Sequence, residues 1–376
     1  MLRVMHIVGA MNRAGVETWL MNLARVTDPT LTEFTFVKHS FEESAYDQEI
    51  RQLGHRVVVV PLRGNAVSYV LTLRRVLRSL PRFDAVHAHV GHFSGIALAA
   101  GWWARTPVRI AHSHSDSRSV QRQSGLIRRV YLRASSALAR IFATRGLASS
   151  PEACESLFRR APSPSGKYQV LPTGIDLSQL PVARANLREE LGVPSDTRLI
   201  CHVGRFVEVK NHELLVDVAR VWDSAGPDFR LLLIGDGPLR PAIERKVDAA
   251  NLRHRVRFLG TRSDILSVLA EVDLVVLPSL YEGVSIVLLE AQASGCPVLM
   301  SAHLSASGVV VPSLVTRCDV AAGANEWAQA ALEASARVRS REDREAALQA
   351  MRSSEYSLQT TLERLGRMWS DRGEDR

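Results

Sequence analysis

Short apolar runs and helix-like segments alternate along this chain, pause at a proline-rich joint, and then alternate again. In the first half the strand-like runs are Leu2–Val8, Phe34–Val37, His55–Pro61, Ala85–His89, Val108–His114 and Gly146–Ser150. Helical spacing lies between them at Val16–Arg25, Ser68–Leu80 and Pro151–Arg160. The joint is Pro172–Pro181. Beyond it come strands Leu199–Gly204, Phe229–Ile234, Arg255–Gly260, Asp273–Leu277 and Pro297–Met300, with helices Glu213–Ala225, Thr261–Glu271 and Ser285–Ser294. Short continuous apolar strands separated by helices are buried on both faces, which is the pattern of parallel sheets flanked by helices. Two such series predict two α/β domains of mainly parallel sheet that face a cleft. The boundaries are 1–175 and 176–354, and the helical tail from about 355 to 376 returns to the first domain. A length of 376 residues suits two domains of ordinary size.

Composition narrows the surroundings. Hydrophobic residues make up 46% of the chain, and no apolar run approaches the ~20 residues of a membrane span. Cys154, Cys201, Cys296 and Cys318 are scattered without a CxxC pair, which predicts reduced thiols in a cytoplasm and no zinc framework. The chain enters a strand at Leu2 with no signal peptide, consistent with that expectation. The net charge of +8 asks for an anionic partner. One stretch, Arg118–Arg145, holds seven arginines and no acid, with apolar residues at near-helical spacing. It reads either as a solvated basic face or as a helix resting on anionic lipid, peripheral at the inner face of a membrane.

The chemistry concentrates in the second half. The stretch Pro278–Pro297 reads PSLYEGVSIVLLEAQASGCP and sets Glu282 and Glu290 eight residues apart, the first in a loop and the second in a helix. In an open α/β sheet that loop lies at the carboxyl end of its strand, where such sheets bind ligands. Backbone amides of Gly283, Val284, Ser285 and Ile286 have no partner within the helix and suit a phosphate. Glu290 suits a vicinal diol such as a ribose. Arg205 and Lys210 flank the loop after Leu199–Gly204 and are placed to grip a diphosphate from two sides. Gly235 and Gly237 follow another strand; they let backbone approach a ligand or simply turn the chain. In the first half His87, His89, His92, His112 and His114 sit at or just beyond strand ends. No carboxylates accompany them in a metal-ligand pattern, so hydrogen bonding is expected and no metal. His114 is the one expected to touch substrate. Gly9–Gly15 is a flexible loop between a strand and a helix.

Taken in order, Val203-Gly-Arg205 with Lys210-Asn211, Gly235-Asp-Gly237, Val256–Gly260, Pro278-Ser279, Glu282-Gly283 and Glu290-Ala291 resemble the retaining GT-B glycosyltransferases of family 4, whose EX7E motif is the glutamate pair. Gly15-Val-Glu17, Val86-His-Ala-His89, His112-Ser-His114 and Pro172-Thr-Gly-Ile-Asp176 extend the resemblance over nearly the whole chain. One departure stands in the first loop, where Ala14 replaces the first of the family's usual two glycines. The resemblance implies a GT-B fold: two Rossmann-like domains, the final helix crossing back to the first. It implies a nucleotide-sugar donor, UDP- or GDP-linked, held by the second domain, and a saccharide or lipid-linked acceptor held by the first, in bacterial polysaccharide or glycolipid assembly. Arg205 and Lys210 would neutralise the donor diphosphate, Glu282 contact the donor sugar and Glu290 the ribose. The Gly283–Ile286 amides would meet the distal phosphate, His114 line the sugar site, and Gly15 let the first loop approach the donor. Fixed cations replace a divalent metal, so transfer with retention and without metal or other cofactor is expected, and no nucleic-acid partner. The alternatives are a natural-product glycosyltransferase, a sugar-nucleotide 2-epimerase of the same fold, and a non-catalytic binding subunit. A phosphorylase would need a pyridoxal phosphate lysine, for which Lys210 is the one candidate.

Overall fold

The structure is a computed structural model that describes residues 1–12, 15–62, 65–114, 125–178, 180, 186–225, 228–282, 284–336 and 340–371. Gly283, Ala14, the Arg118 and Arg122 positions of the basic stretch and the last five residues lie outside them. The chain forms two compact units, Met1–Asp176 with Leu358–Arg376, and Leu177–Ser357.

In the first unit, the described residues form a seven-stranded sheet from β1 (Leu2–Ile7), β2 (Thr32–Lys38), β3 (Arg56–Val59), β4 (Ala85–Ala88), β5 (Val108–Ser113), β6 (Arg145–Ala148) and β7 (Tyr168–Val170). The strand order is β3-β2-β1-β4-β5-β6-β7, and all pairings are parallel. The chain builds outward from β1 to β3 and then crosses to β4 on the other side. That reversal between β1 and β4 opens a crevice at the carboxyl ends, where doubly wound sheets take ligands. One face of the sheet is covered by Tyr69, Leu73, Leu77, Leu98 and Phe158, the other by Trp19, Leu20, Leu23, Leu365 and Trp369. The last two belong to the helix Leu358–Ser370, so the end of the chain completes the core of its beginning.

The second unit repeats the plan with β8 (Arg198–Val203), β9 (Phe229–Ile234), β10 (Val256–Gly260), β11 (Leu274–Leu277), β12 (Val298–Ser301) and β13 (Val315–Cys318), in the order β10-β9-β8-β11-β12-β13, again parallel. In β9, Leu231 and Leu233 join one core while Leu232 and Ile234 join the other. That is the two-residue period of a strand buried on both faces. The switch here falls between β8 and β11.

Several elements escaped the sequence pattern, among them the helices Asp47–Gln52, Leu187–Leu191 and Arg240–Ala249 and strand β7. The helix Ser94–Trp103 is apolar on nearly every side, so no 3.6-residue alternation marks it. Strand β13 is four residues of mixed polarity at a sheet edge. The helical tail is three helices, Gly323–Ser335, Arg341–Arg352 and Leu358–Ser370, and only the last belongs to the first unit.

Candidate active site

In the second unit the two loops that leave β8 and β11 emerge side by side at the switch point. They are tied together. The Leu280 amide donates to the Val209 carbonyl at 2.8 Å, and Asn211 Nδ2 donates to the Pro278 carbonyl at 3.3 Å. Asn211 holds φ +52°, a left-handed value that asparagine tolerates better than most residues. Lys210 ends the short 3₁₀ turn Glu208–Lys210, and its Nζ lies 2.7 Å from Glu282 Oε1. Ser279 Oγ donates to the same carboxylate oxygen. Glu282 is thus held from two sides, and it half-neutralises Lys210 before any ligand arrives. Ser279 is the addition that the sequence reading did not assign a part. Arg205 is different: its guanidinium is exposed and makes no hydrogen bond or ion pair among the described residues.

The glycines explain how Arg205 is presented. Gly235 has φ +133°, and a β-carbon there would lie 2.1 Å from the Gly204 carbonyl oxygen. At Gly237, φ +157°, it would lie 2.7 Å from the Phe206 oxygen. The bare backbone after β9 instead accepts that loop, with the Phe206 amide donating to the Asp236 carbonyl and the Leu239 amide to the Phe206 carbonyl. What the glycine backbone approaches is the Arg205 loop, so both residues seat that loop. Gly15, by contrast, opens the helix Gly15–Val26 with nothing within 4 Å of a β-carbon.

The helix after β11 is Ile286–Ala293, entered through Val284 and an extended Ser285 with no side-chain cap. Its first amides keep their hydrogen-bonding capacity and their share of the helix dipole. Glu290 is its fifth residue. The carboxylate has no partner among the described residues, and burial pushes its pKa up to about 7. A half-sequestered acid without a donor is a group whose hydrogen bonds are left for something else to make.

In the first unit, His114 stands just past the end of β5, above a cluster of rings at the β1–β4–β5 end. The sequence pattern put His87, His89 and His112 there; His6, in register with His87 across β1 and β4, was not foreseen. His6 Nδ1 meets His89 Nε2 at 3.0 Å, and His89 Nδ1 meets His114 Nε2 at 2.9 Å. A second chain runs from Trp369 Nε1 to His87 Nδ1 at 3.4 Å, and from His87 Nε2 to His112 Nδ1 at 3.2 Å. An indole nitrogen only donates, so in neutral rings His87 carries its proton on Nε2 and passes the same sense on to His112. Burial holds His6 and His114 down to about 3, and His87, His89 and His112 well below the ordinary histidine value. His114 is therefore a neutral imidazole at physiological pH. His6, His87 and His89, and likewise His89, His112 and His114, bring one nitrogen each within 4.8 Å. Both nitrogens of His89 are already engaged in ring-to-ring hydrogen bonds. A cavity of 480 Å³ opens beside this cluster's sheet edge, at the ends of β1, β2 and β3, lined by Gly9, His39, Phe41, Glu42 and Leu62 among others.

Comparison with known proteins gives this geometry a lineage. Residues 13–179 match the family model described as Glycosyltransferase Family 4, and residues 183–347 the model described as Glycosyl transferases group 1. A putative glycosyltransferase, EpsF, of Bacillus subtilis is 36% identical over 345 residues, covering 89% of this chain and 88% of that protein. The chain belongs to the family 4, group 1 glycosyltransferases. A capsular polysaccharide biosynthesis glycosyltransferase, CapH, of Staphylococcus aureus is 24% identical over 80% of this chain and 81% of its own. Among solved structures, Anabaena Alr3699/HepE in complex with UDP and glucose superposes with a TM-score of 0.74 at 19% identity, covering 99% of this glycosyltransferase and 100% of that chain. That likeness establishes the GT-B fold.

Proposed function

We propose that this glycosyltransferase moves a sugar, with retention, from a UDP- or GDP-sugar to an acceptor hydroxyl, without a metal. The observation that carries the reading is the set of unsatisfied groups at the β8–β11 switch. Among the described residues these are a guanidinium without a partner, an uncapped helix start and a half-buried carboxylate without a donor, all on the segments that follow β8 and β11, and the set suits a diphosphate and a ribose diol. Departure of the nucleotide breaks the bond from the sugar's anomeric carbon to the diphosphate oxygen and leaves negative charge on that oxygen. Arg205, Lys210 and the amides that open the Ile286–Ala293 helix stabilise it where it develops. As the diphosphate draws Lys210, Glu282 is released to accept from the donor sugar's hydroxyls. The acceptor oxygen attacks the face the diphosphate leaves, and its proton passes to a departing phosphate oxygen. His114, neutral, serves as a hydrogen-bonding group to the sugar. The cavity beside His39 and Phe41 is the acceptor's seat, an exposed aromatic ring beside polar groups being a common surface for a saccharide. UDP and glucose in HepE and the capsular role of CapH favour a nucleotide-sugar donor and polysaccharide or glycolipid assembly.

A panel of nucleotide sugars scored by thermal shift and hydrolysis tests the donor. One UDP- or GDP-sugar is expected to stabilise the protein and to be consumed in the presence of a chelator. The anomeric configuration of the product is read by NMR. Absence of any stabilising nucleotide sugar, loss of turnover with chelator, or an inverted product would each overturn the corresponding part.

A further inference from the structure

The helix Leu126–Phe142 carries two apolar stripes. One faces inward: Leu132, Ser135, Ser136 and Ala139 are buried, and Gly95 of the helix Ser94–Trp103 fits so close that a β-carbon would lie 2.5 Å from the Ala139 nitrogen. The other faces out. Ile127 is 88% exposed, Val130 57%, Tyr131 47% and Ile141 67%. Their three-, four- and seven-residue spacings, continued through exposed Ala134, put them on one side of the helix over ~20 Å. Arg129, Arg133 and Arg140 fall within ~40° of one another along one flank of that stripe. The helix has no acid, and none of its arginines has an ion pair among the described residues. Beside it, Trp102 and Trp103 end the neighbouring helix, both exposed; the Trp102 ring lies 5.6 Å from that of Phe142, and the Arg74 guanidinium sits 4.2 Å over Trp103.

A single exposed Ile needs no account, but a stripe of four with two tryptophans beside it does. We infer that this two-helix face lies on an anionic bilayer, with Ile127, Val130, Tyr131 and Ile141 entering the headgroup boundary. The occupant follows from charge and ring chemistry. A row of unpaired arginines without acids is complementary to a uniformly negative surface rather than to a mixed protein interface. Tryptophans at the edge of an apolar patch match the amphipathic depth of the headgroups. No helix among the described residues is long and apolar enough to cross a membrane, so the contact lies along the surface. The sequence showed the arginines but not the tryptophans or which apolar residues point outward.

The full-length chain is tested by co-sedimentation with phosphatidylcholine vesicles, alone or mixed with phosphatidylglycerol, at low and high salt. Preferential binding to the anionic vesicles, weakened by salt, is expected. Arg129→Ala, Arg133→Ala and Arg140→Ala together lower the partition about a hundredfold, at about fivefold each. Ile127→Glu with Ile141→Glu abolishes it. In the wild-type chain, brominated lipid quenches tryptophan fluorescence, and Trp102→Phe with Trp103→Phe removes that quenching; this readout does not depend on the charge variants folding. Equal binding to neutral and anionic vesicles, or none, overturns the inference. So does a dimer in lipid-free sedimentation that Ile127→Glu with Ile141→Glu dissolves, which would assign the face to a second copy. No nucleotide sugar is present in any arm, so the outcome is independent of the transfer reading.

Discussion

At the scale of single residues, the second unit leaves three charges in three different states. Among the described residues Arg205 is exposed and unpaired, Lys210 is paired with Glu282, and Glu290 is half-buried and without a partner. The transition state acquires charge at the diphosphate, so removing either cation is expected to cost about 3–4 kcal/mol of its stabilisation, as loss of one preorganised donor does elsewhere. Arg205→Ala and Lys210→Ala should each lower kcat/KM by a hundredfold or more in a steady-state assay. A near-wild-type rate would remove that residue from the mechanism. Lys210→Ala carries a second consequence, since Glu282 keeps only Ser279 as donor. Glu290 makes a pH prediction with a definite sign. Its carboxyl is held near 7 against an ordinary 4.5, so the folded state binds the proton more tightly than the unfolded one. The penalty is absent below the unfolded value, grows as pH rises, and reaches about 3 kcal/mol above pH 7. Glu290→Gln should therefore stabilise the protein in urea at about pH 8 and change little at about pH 4. The same variant should raise KM for the donor at high pH, because a neutral amide accepts a diol less well than a carboxylate. In the wild type, KM should rise as pH falls through about 7.

At the scale of elements, the site depends on how one loop is seated. The β9 turn makes room for Gly204 and Phe206 through two glycines with positive φ, and that packing aims Arg205 outward. Gly235→Ala would place a β-carbon 2.1 Å from the Gly204 oxygen in a conformation that L residues rarely adopt. The expected result is a loss of roughly 1–3 kcal/mol in denaturant stability together with at least a tenfold loss of kcat/KM, although the residue carries no chemistry. If stability drops while turnover is unchanged, the loop is not aimed by that turn. The histidine cluster is likewise an element-scale arrangement. Burial, not a carboxylate, keeps its rings neutral, and the rings hydrogen-bond one another because three adjacent parallel strands present them at the same end, although His6 Nε2 and His112 Nε2 are left without a partner among the described residues.

At the scale of the whole molecule, the chain closes its first unit with its last helix. Trp369 is almost completely buried against Phe34 and His6 and donates to His87, more than 280 residues away in sequence. Trp369→Ala should destabilise the protein by about 3–5 kcal/mol. In calorimetry the loss should fall on the transition that belongs to Met1–Asp176 with the final helix. If that transition is unchanged, the helix contributes little to that core.

How much was legible beforehand differs between strands and sites. Alternating apolar runs and helices determined two parallel α/β sheets, because a strand buried on both faces is apolar at most of its positions, and that is legible in a short run of sequence. The glutamate pair and the Arg205–Lys210 pair were legible as well, because each lies at the end of a strand the pattern had already located. The Ser94–Trp103 helix was not, since a helix buried on nearly all sides shows no polar face. The tertiary structure alone decided that Gly235 and Gly237 hold a loop, that Glu282 pairs with Lys210, that Glu290 has no partner, and that His6 joins four other histidines. Each of these is a contact or an exclusion between segments far apart in sequence. Local spacing carries no record of which distant backbone fills a gap, or of which carboxylate is left without a donor.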